Sequence, residues 1–311
     1  IDIGASISKV KEGKMTPEKF EELIHTCAPC SGACGMMGTA NTMSLLTETI
    51  GMSLPGNATM AAVSGELINL SREAGRKVME LWEKNICPRD IITESAITNA
   101  IRVCMAIGGS SNTIIHIPAV ATEACLNMDC SSIYAEASCE VPLLIGIRPN
   151  GKCCMADFEA AGGLGALLNE LTSKLDLTGM TVTGKTLGEN IQGCVNRNPN
   201  VIHSLAQPLD SDGGLILCKG NLVPQGAFIK QSAGSGAPPR SFTIRMKPLL
   251  LCGTAASKPA MWSLSSIRAS RPVRILRMPS PPPSRAATSK MMSPPSPTDG
   301  SPARHPARAL A

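Results

Sequence analysis

Aromatic side chains are nearly absent from this 311-residue sequence, which holds four Phe, two Trp and one Tyr. Modules that grip single-stranded nucleic acid stack bases on aromatic faces, so composition argues against a base-reading protein. No run of about eighteen apolar residues occurs, and no basic-then-apolar segment opens the chain, which argues against a membrane span and a secretory signal. The expectation is a soluble, cytoplasmic protein without membrane or nucleic-acid partners. The first residue is Ile1, with no initiator Met, and the chain reads as a piece of a longer protein. With 43% hydrophobic and 17% charged residues, its length suffices for one large or two medium domains.

Acidic residues are missing from one region only. Residues 1 to 233 hold 17 Lys and Arg against 23 Asp and Glu, a net charge of −6, whereas residues 234 to 311 hold 12 basic residues against the single acid Asp299, a net charge of +11. Those last 78 residues also carry 14 of the 24 prolines and 13 serines. Such a composition buries too little apolar surface to offset chain entropy, so the tail is expected to be disordered. It resembles translation in a shifted reading frame. The competing reading, a basic arm for phosphate or an anionic surface, is disfavoured because the Arg residues are spread through PPPS and SPPSP runs rather than clustered.

Before the break, Thr16-Pro17-Glu18 is a helix start, and that helix should end near Thr26. A second helix is expected over Thr39 to Ile50, closed by Gly51. A third runs from Gly65 to Asn85 and is expected to break or bend around Gly75. Ala96, Ile97, Ala100, Ile101, Cys104 and Ile107 form a stripe of period near 3.6 that stops at Gly108-Gly109. Ser110-Ser111-Asn112 then leads into another helix over about Thr113 to Leu126, giving a helix, a tight turn and a helix, and a turn of this kind can present backbone N–H groups to an anion. Apolar runs at Leu143 to Ile147, Met180 to Val182 and Leu215 to Cys218 read as short buried strands. They are separated by helices over about Asp157 to Leu171 and Leu187 to Ile191, so the fold class is α/β. The segment after Pro208 reads as the start of a β domain. Three regions follow: 1–205, a helix-rich α/β domain; 206–233, the start of a β domain; and 234–311, the Pro/Ser/Arg-rich tail.

Thirteen cysteines in a chain without an export signal point to thiols or a metal centre rather than disulfides. Cys104, Cys125, Cys194 and Cys218 are expected to be small buried hydrophobes. Cys27, Cys30 and Cys34 form a C-x2-C-x3-C array in the Gly-rich loop CAPCSGACG, ahead of a helix. Three such thiols suit iron–sulfur or zinc. Zinc is disfavoured because no second C-x2-C or H-x3-H follows, and a ferredoxin run would need a fourth Cys before Pro. One cysteine contributed to a shared site fits best.

The segment GACGMMGTANTMSLLTETIGMSLPGNATM resembles the dihydroxy-acid dehydratase and 6-phosphogluconate dehydratase family, nearest the dihydroxy-acid branch. The resemblance continues through AIGGSSNTIIHIPAVATEA, DFEAAGGLGALLNEL, TVTGKTLGENI and VPQGAFIKQSA, and covers roughly residues 20 to 233. It implies a hydro-lyase with a 2Fe-2S cluster and Mg2+ that converts a 2,3-dihydroxy carboxylic acid to a 2-keto acid, as in branched-chain amino-acid biosynthesis. In that chemistry a cluster iron assists loss of the C3 hydroxyl, while Mg2+ on the carboxylate and C2 hydroxyl acidifies the C2 proton. The resemblance places one cluster ligand on Cys34 and does not use Cys27 or Cys30. The family's other cluster cysteines, an aspartate and a modified lysine on Mg2+ belong to sequence N-terminal to this chain. A last Mg2+ carboxylate and the serine base belong beyond Gly234. No catalytic base and no Mg2+ ligand are therefore assigned, and the chain alone is expected to be inactive. Family members are usually homodimers.

Gly108, Gly109, Ser110 and Asn112 are candidates to approach substrate or cluster, with a plain packing turn as the equal alternative. His116 is expected to be a satisfied core histidine, His25 an ordinary helix-end histidine, and Cys153-Cys154 structural. A sugar-acid dehydratase acting on gluconate, 6-phosphogluconate or a pentonate is the rival enzyme. A metal-binding protein with a basic tail, and no catalysis, is the rival of another class.

Overall fold

The computed structural model describes residues 3–26, 31–220, 223–230 and 275–277. Cys27, Cys30 and most of the tail expected to be disordered lie outside the described residues.

Helices dominate. α1 (Ile3–Lys11) and α2 (Pro17–Thr26) pack on each other, and α2 starts and stops where its Thr-Pro-Glu start and Thr26 indicate. α3 (Thr39–Ile50) ends as its sequence requires: Gly51 takes φ +94°, a left-handed conformation that costs glycine little. A Cβ there would also sit 3.1 Å from the Met180 carbonyl oxygen. α4 (Gly65–Glu83) begins at Ser64, whose hydroxyl accepts from Leu67 N–H at 3.1 Å. It runs unbroken through Gly75, so the expected break is absent. One glycine costs a helix interior about 1 kcal/mol, and the i,i+3 pairs Arg76–Glu73 and Lys77–Glu80 around it support the helix. α4 has no buried residue, and its apolar side borders a groove of about 530 Å3.

After the short α5 (Pro88–Ile91), α6 (Glu94–Ala106) forms the centre of the molecule. Thr93 caps it by accepting from Ala96 N–H at 3.2 Å, and Ile97, Ala100, Ile101, Val103, Cys104, Met105 and Ala106 are wholly buried. Each fully buried Ile of this kind contributes roughly 1.5–3 kcal/mol. Asn99, on the same helix, exchanges two hydrogen bonds with the backbone of Asp176, at 2.6 and 2.9 Å, and so fixes the 175–178 segment. α3 and α8 (Cys130–Glu140) pack against α6, with α7 (Thr113–Glu123) leading from one to the other.

The helix expected over 157–171 is two helices, α9 (Met155–Ala160) and α10 (Gly163–Glu170). Gly162 and Gly163, at φ +118° and +61°, break it. α11 (Leu187–Ile191) opens with Thr186 and Glu189 bonded reciprocally as a capping box. The runs at 143–147 and 180–182 are extended but form only isolated bridges, Leu143 with Asp210, Ile145 with Ile202, Ile147 with Cys153 and Met180 with Thr186. The third run is a strand: β1 (Leu215–Gly220) pairs antiparallel with β2 (Val223–Lys230), and β2 with β3 (Ile275–Arg277). Phe228 meets Tyr134 of α8 edge to face, ring centroids 5.5 Å apart, which seats the hairpin on the helical layer. The result is a helix-rich domain followed by a small antiparallel sheet.

Candidate functional site

The start of α3 brings the sequence-predicted residues together. Gly38 is extended and offers no side-chain cap, and the Cys34 sulfur lies 3.8 Å from where a Gly38 Cβ would be, above the first turn of the helix. The thiol is exposed to solvent.

Four hydrogen bonds hold the Cys34 loop. Asn41, buried in the first turn of α3, donates its side-chain amide to the carbonyl oxygens of Cys34 and, at 2.8 Å, of Met36. Met37 N–H donates to Arg148 O at 2.7 Å, and Met155 N–H to Gly35 O at 2.9 Å. The loop is thus pinned from its own helix and from the 148–155 segment. Neither Asn41 nor the 148–155 contacts were singled out from sequence. The signal for Asn41 was present in the Thr-Ala-Asn triplet that follows the loop.

The Gly108–Asn112 turn meets the same helix start. Asn112 Nδ2 donates to Thr39 Oγ1 at 2.8 Å, Thr39 Oγ1 and Ser110 Oγ lie 3.0 Å apart, and Ser110 N–H donates to Thr42 Oγ1 at 3.1 Å. The two glycines are required by packing. Gly108 has φ +57°, and a Cβ on it would lie 3.0 Å from Leu143 Cδ1, while a Cβ on Gly109 would lie 2.7 Å from Cys104 Sγ. Ser110 is buried and Asn112 half-buried, so Asn112 is the member of the turn more open to a ligand. Behind the turn, Cys104 is fully buried with its pKa pushed up to about 11 by desolvation, which keeps it a neutral thiol.

Other expectations divide. His116 is exposed on α7 rather than a core histidine, because Ile114 and Ile117 take the buried positions. His25 is an exposed helix-end residue, as expected. Cys125 is exposed at φ +64° where α7 has ended, and Cys194 and Cys218 are half-buried; of the four expected hydrophobes only Cys104 is fully buried. Cys154 is the N-cap residue of α9 and its N–H donates to Asp157 at 2.7 Å, a structural part. Desolvation first, then the charges of Asp157 and Cys154, raise the pKa of Cys153.

Among the described residues no three His, Cys, Asp or Glu side chains gather into a metal-holding group. Cys34 is thus not part of a complete metal-ligand set among the described residues. No helix among the described residues is long and apolar enough to cross a membrane.

The family described as dihydroxy-acid/6-phosphogluconate dehydratase N-terminal matches residues 1–190. The dihydroxy-acid dehydratase of Nitratidesulfovibrio vulgaris strain Miyazaki F is 46% identical over 237 residues, covering 75% of this chain and 42% of that protein. The dihydroxy-acid dehydratase of Clostridium beijerinckii is 44% identical over 231 residues, 73% of this chain and 41% of its own length. That of Methanococcoides burtonii is 40% identical over 237 residues, with 75% and 43% covered. The chain is a member of the dihydroxy-acid and 6-phosphogluconate dehydratase family, and it spans about two-fifths of the length of these curated relatives.

Proposed function

We propose that this chain is an internal part of a cytoplasmic, homodimeric hydro-lyase that dehydrates a 2,3-dihydroxy carboxylic acid to a 2-keto acid. The observation that carries the reading is the exposed Cys34 thiol, whose loop Asn41 holds at the start of α3, within a segment that resembles the family. Cys34 would give one thiolate to a 2Fe-2S cluster. When bound, the cluster would supply Lewis-acid assistance to loss of the C3 hydroxyl, and Mg2+, held by residues outside those assigned here, would acidify the C2 proton. What this chain adds is positioning: Asn41 orients the loop backbone, and Thr39, Ser110 and Asn112 form a polar floor beside it on which a hydroxylated substrate can find hydrogen bonds. The relatives' names favour a dihydroxy acid over a sugar acid. Mg2+ ligands and a catalytic base are not assigned to this chain, and the chain alone is read as inactive.

The test is anaerobic reconstitution with iron and sulfide, followed by visible absorption, iron counting and assay on dihydroxy acids and sugar acids. The 311-residue chain should hold no stable cluster and dehydrate neither class. A version completed in frame at both ends should hold one and act on dihydroxy acids. Cys34→Ser in that version should abolish the cluster absorbance, and Cys153→Ser should leave it. A stoichiometric cluster that survives Cys34→Ser refutes the assignment.

A further inference from the structure

At the far end of α3 a cavity of about 250 Å3 lies between the 53–59 loop, the start of α10 and α11. Glu48 and Glu159 both line it, and no Lys, Arg or His does among the described residues. Two carboxylates without a cationic partner are not by themselves a site, since Glu48 has structural work: its two oxygens accept the N–H groups of Gly56 at 2.7 Å and Ala58 at 2.9 Å. Each of those oxygens keeps a free lone pair.

Thr59 supplies the second observation. It is 7% exposed, lines the same cavity, and its hydroxyl oxygen has no hydrogen-bond partner. A buried hydroxyl left unpaired carries its full desolvation cost, so a partner is called for. The hydroxyl is turned toward Gly163: a Cβ on that glycine would lie 2.9 Å from Thr59 Oγ1 but 3.8 Å from Thr59 Cβ, and 3.0 Å from Glu159 Oε2. The Thr59 hydroxyl and the Glu159 carboxylate, from separate elements, thus both face residue 163, a glycine at φ +61° whose missing side chain leaves room beside them. The first turn of α10 would attract an anion, but two carboxylates at the cavity wall oppose one. Carboxylate and hydroxyl oxygens around a small polar space match the ligand preference of hard divalent cations.

We propose that this cavity binds a divalent cation of the Mg2+ or Ca2+ kind, with Glu159, Thr59 and Glu48 as its protein oxygens and water completing the shell. Bound there, the ion ties the 53–59 loop to the start of α10 and gives the Thr59 hydroxyl its missing partner. The proposal does not rest on the dehydratase reading.

Mn2+ is the probe. The full 311-residue chain at pH 8 is titrated with Mn2+, and the free-ion electron paramagnetic resonance signal gives the bound fraction. One Mn2+ per chain, displaced by excess Mg2+ or Ca2+, is expected. Glu159→Gln should weaken binding by about tenfold or more, because carboxylate number sets affinity at such sites. Thr59→Val should weaken it several-fold while its metal-free melting temperature stays level or rises. Cys34→Ser should leave Mn2+ binding unchanged, which separates this outcome from failure of the cluster assignment. No Mn2+ bound by the parent chain, or binding that survives Thr59→Val at full strength, overturns the proposal and leaves water as the occupant. If Glu159→Gln does not fold, the Thr59→Val result decides.

Discussion

Asn112 and Thr39, 73 residues apart in the chain, are joined by a 2.8 Å hydrogen bond from the Asn112 side-chain amide to the Thr39 hydroxyl. Through it the turn between α6 and α7 is tied to the helix that follows the Cys34 loop. Two segments that resemble the same family from separate parts of the sequence therefore form one face.

Asn41→Ala should loosen that face from the other side. The substitution leaves the carbonyl oxygen of Cys34 without its donor, while that of Met36 keeps the Gly38 N–H at 2.8 Å. A loss of about 1–3 kcal/mol is expected, read from the denaturant midpoint, together with faster alkylation of Cys34 in the folded chain. An unchanged midpoint and alkylation rate would show that the Arg148 and Met155 contacts hold the loop unaided.

Gly109→Ala should destabilise by about 1–3 kcal/mol, since its methyl would be forced against Cys104 Sγ at 2.7 Å and Thr42 Cγ2 at 3.0 Å. Adding Cys104→Ala removes the sulfur and should restore part of the loss. Strictly additive effects in that double-mutant cycle would place the strain elsewhere.

Stability should depend on Glu48. Desolvation raises its pKa from 4.5 to about 7, against the lowering effect of the Gly56 and Ala58 N–H groups and with a further rise from Glu159. Because the folded chain binds this proton more tightly, the contribution is complete below pH 4.5 and disappears as pH rises through 7. That amounts to roughly 3 kcal/mol across the window. In metal-free buffer, the stability difference between the parent and Glu48→Gln should shift in favour of Glu48→Gln as pH rises from 4.5 to 7. A pH-independent difference would contradict it.

The abrupt change at Gly234 leads to an expectation about the coding DNA. Translated in one of the other two frames after Ala233, it should give a β-rich sequence containing TDGR and SGG elements. Resequencing that region is the check, and two alternate frames that both lack such elements would dismiss a frameshift.

Much of this was legible where one local rule acts alone. α3 and the α6 stripe follow from apolar period plus glycine or threonine ends, and the structure places both with those bounds or within a residue or two. α8 escaped notice because its buried face, Cys130, Tyr134, Ala137 and Ser138, is small and half polar, so its period carries little hydrophobic contrast. The Glu48 clamp was illegible for another reason: its partners are backbone N–H groups, which every residue has. The Leu143–Ile147 run is apolar because it is buried, and burial does not require a paired strand. At the candidate site, Cys34 and the Gly108–Asn112 turn were found through motif resemblance, whereas their joining through Thr39 is tertiary and no spacing encodes it.

The solvent-facing character of α4 decides how folding of this chain can be watched. Trp82 sits on that helix at 76% exposure and is the one tryptophan among the described residues. Its indole already emits from water in the native state, so melting of the α6 core produces little spectral shift from it. Tyr134, enclosed against Phe228 between the helical layer and the hairpin, is the chromophore whose near-ultraviolet dichroism vanishes when the core comes apart.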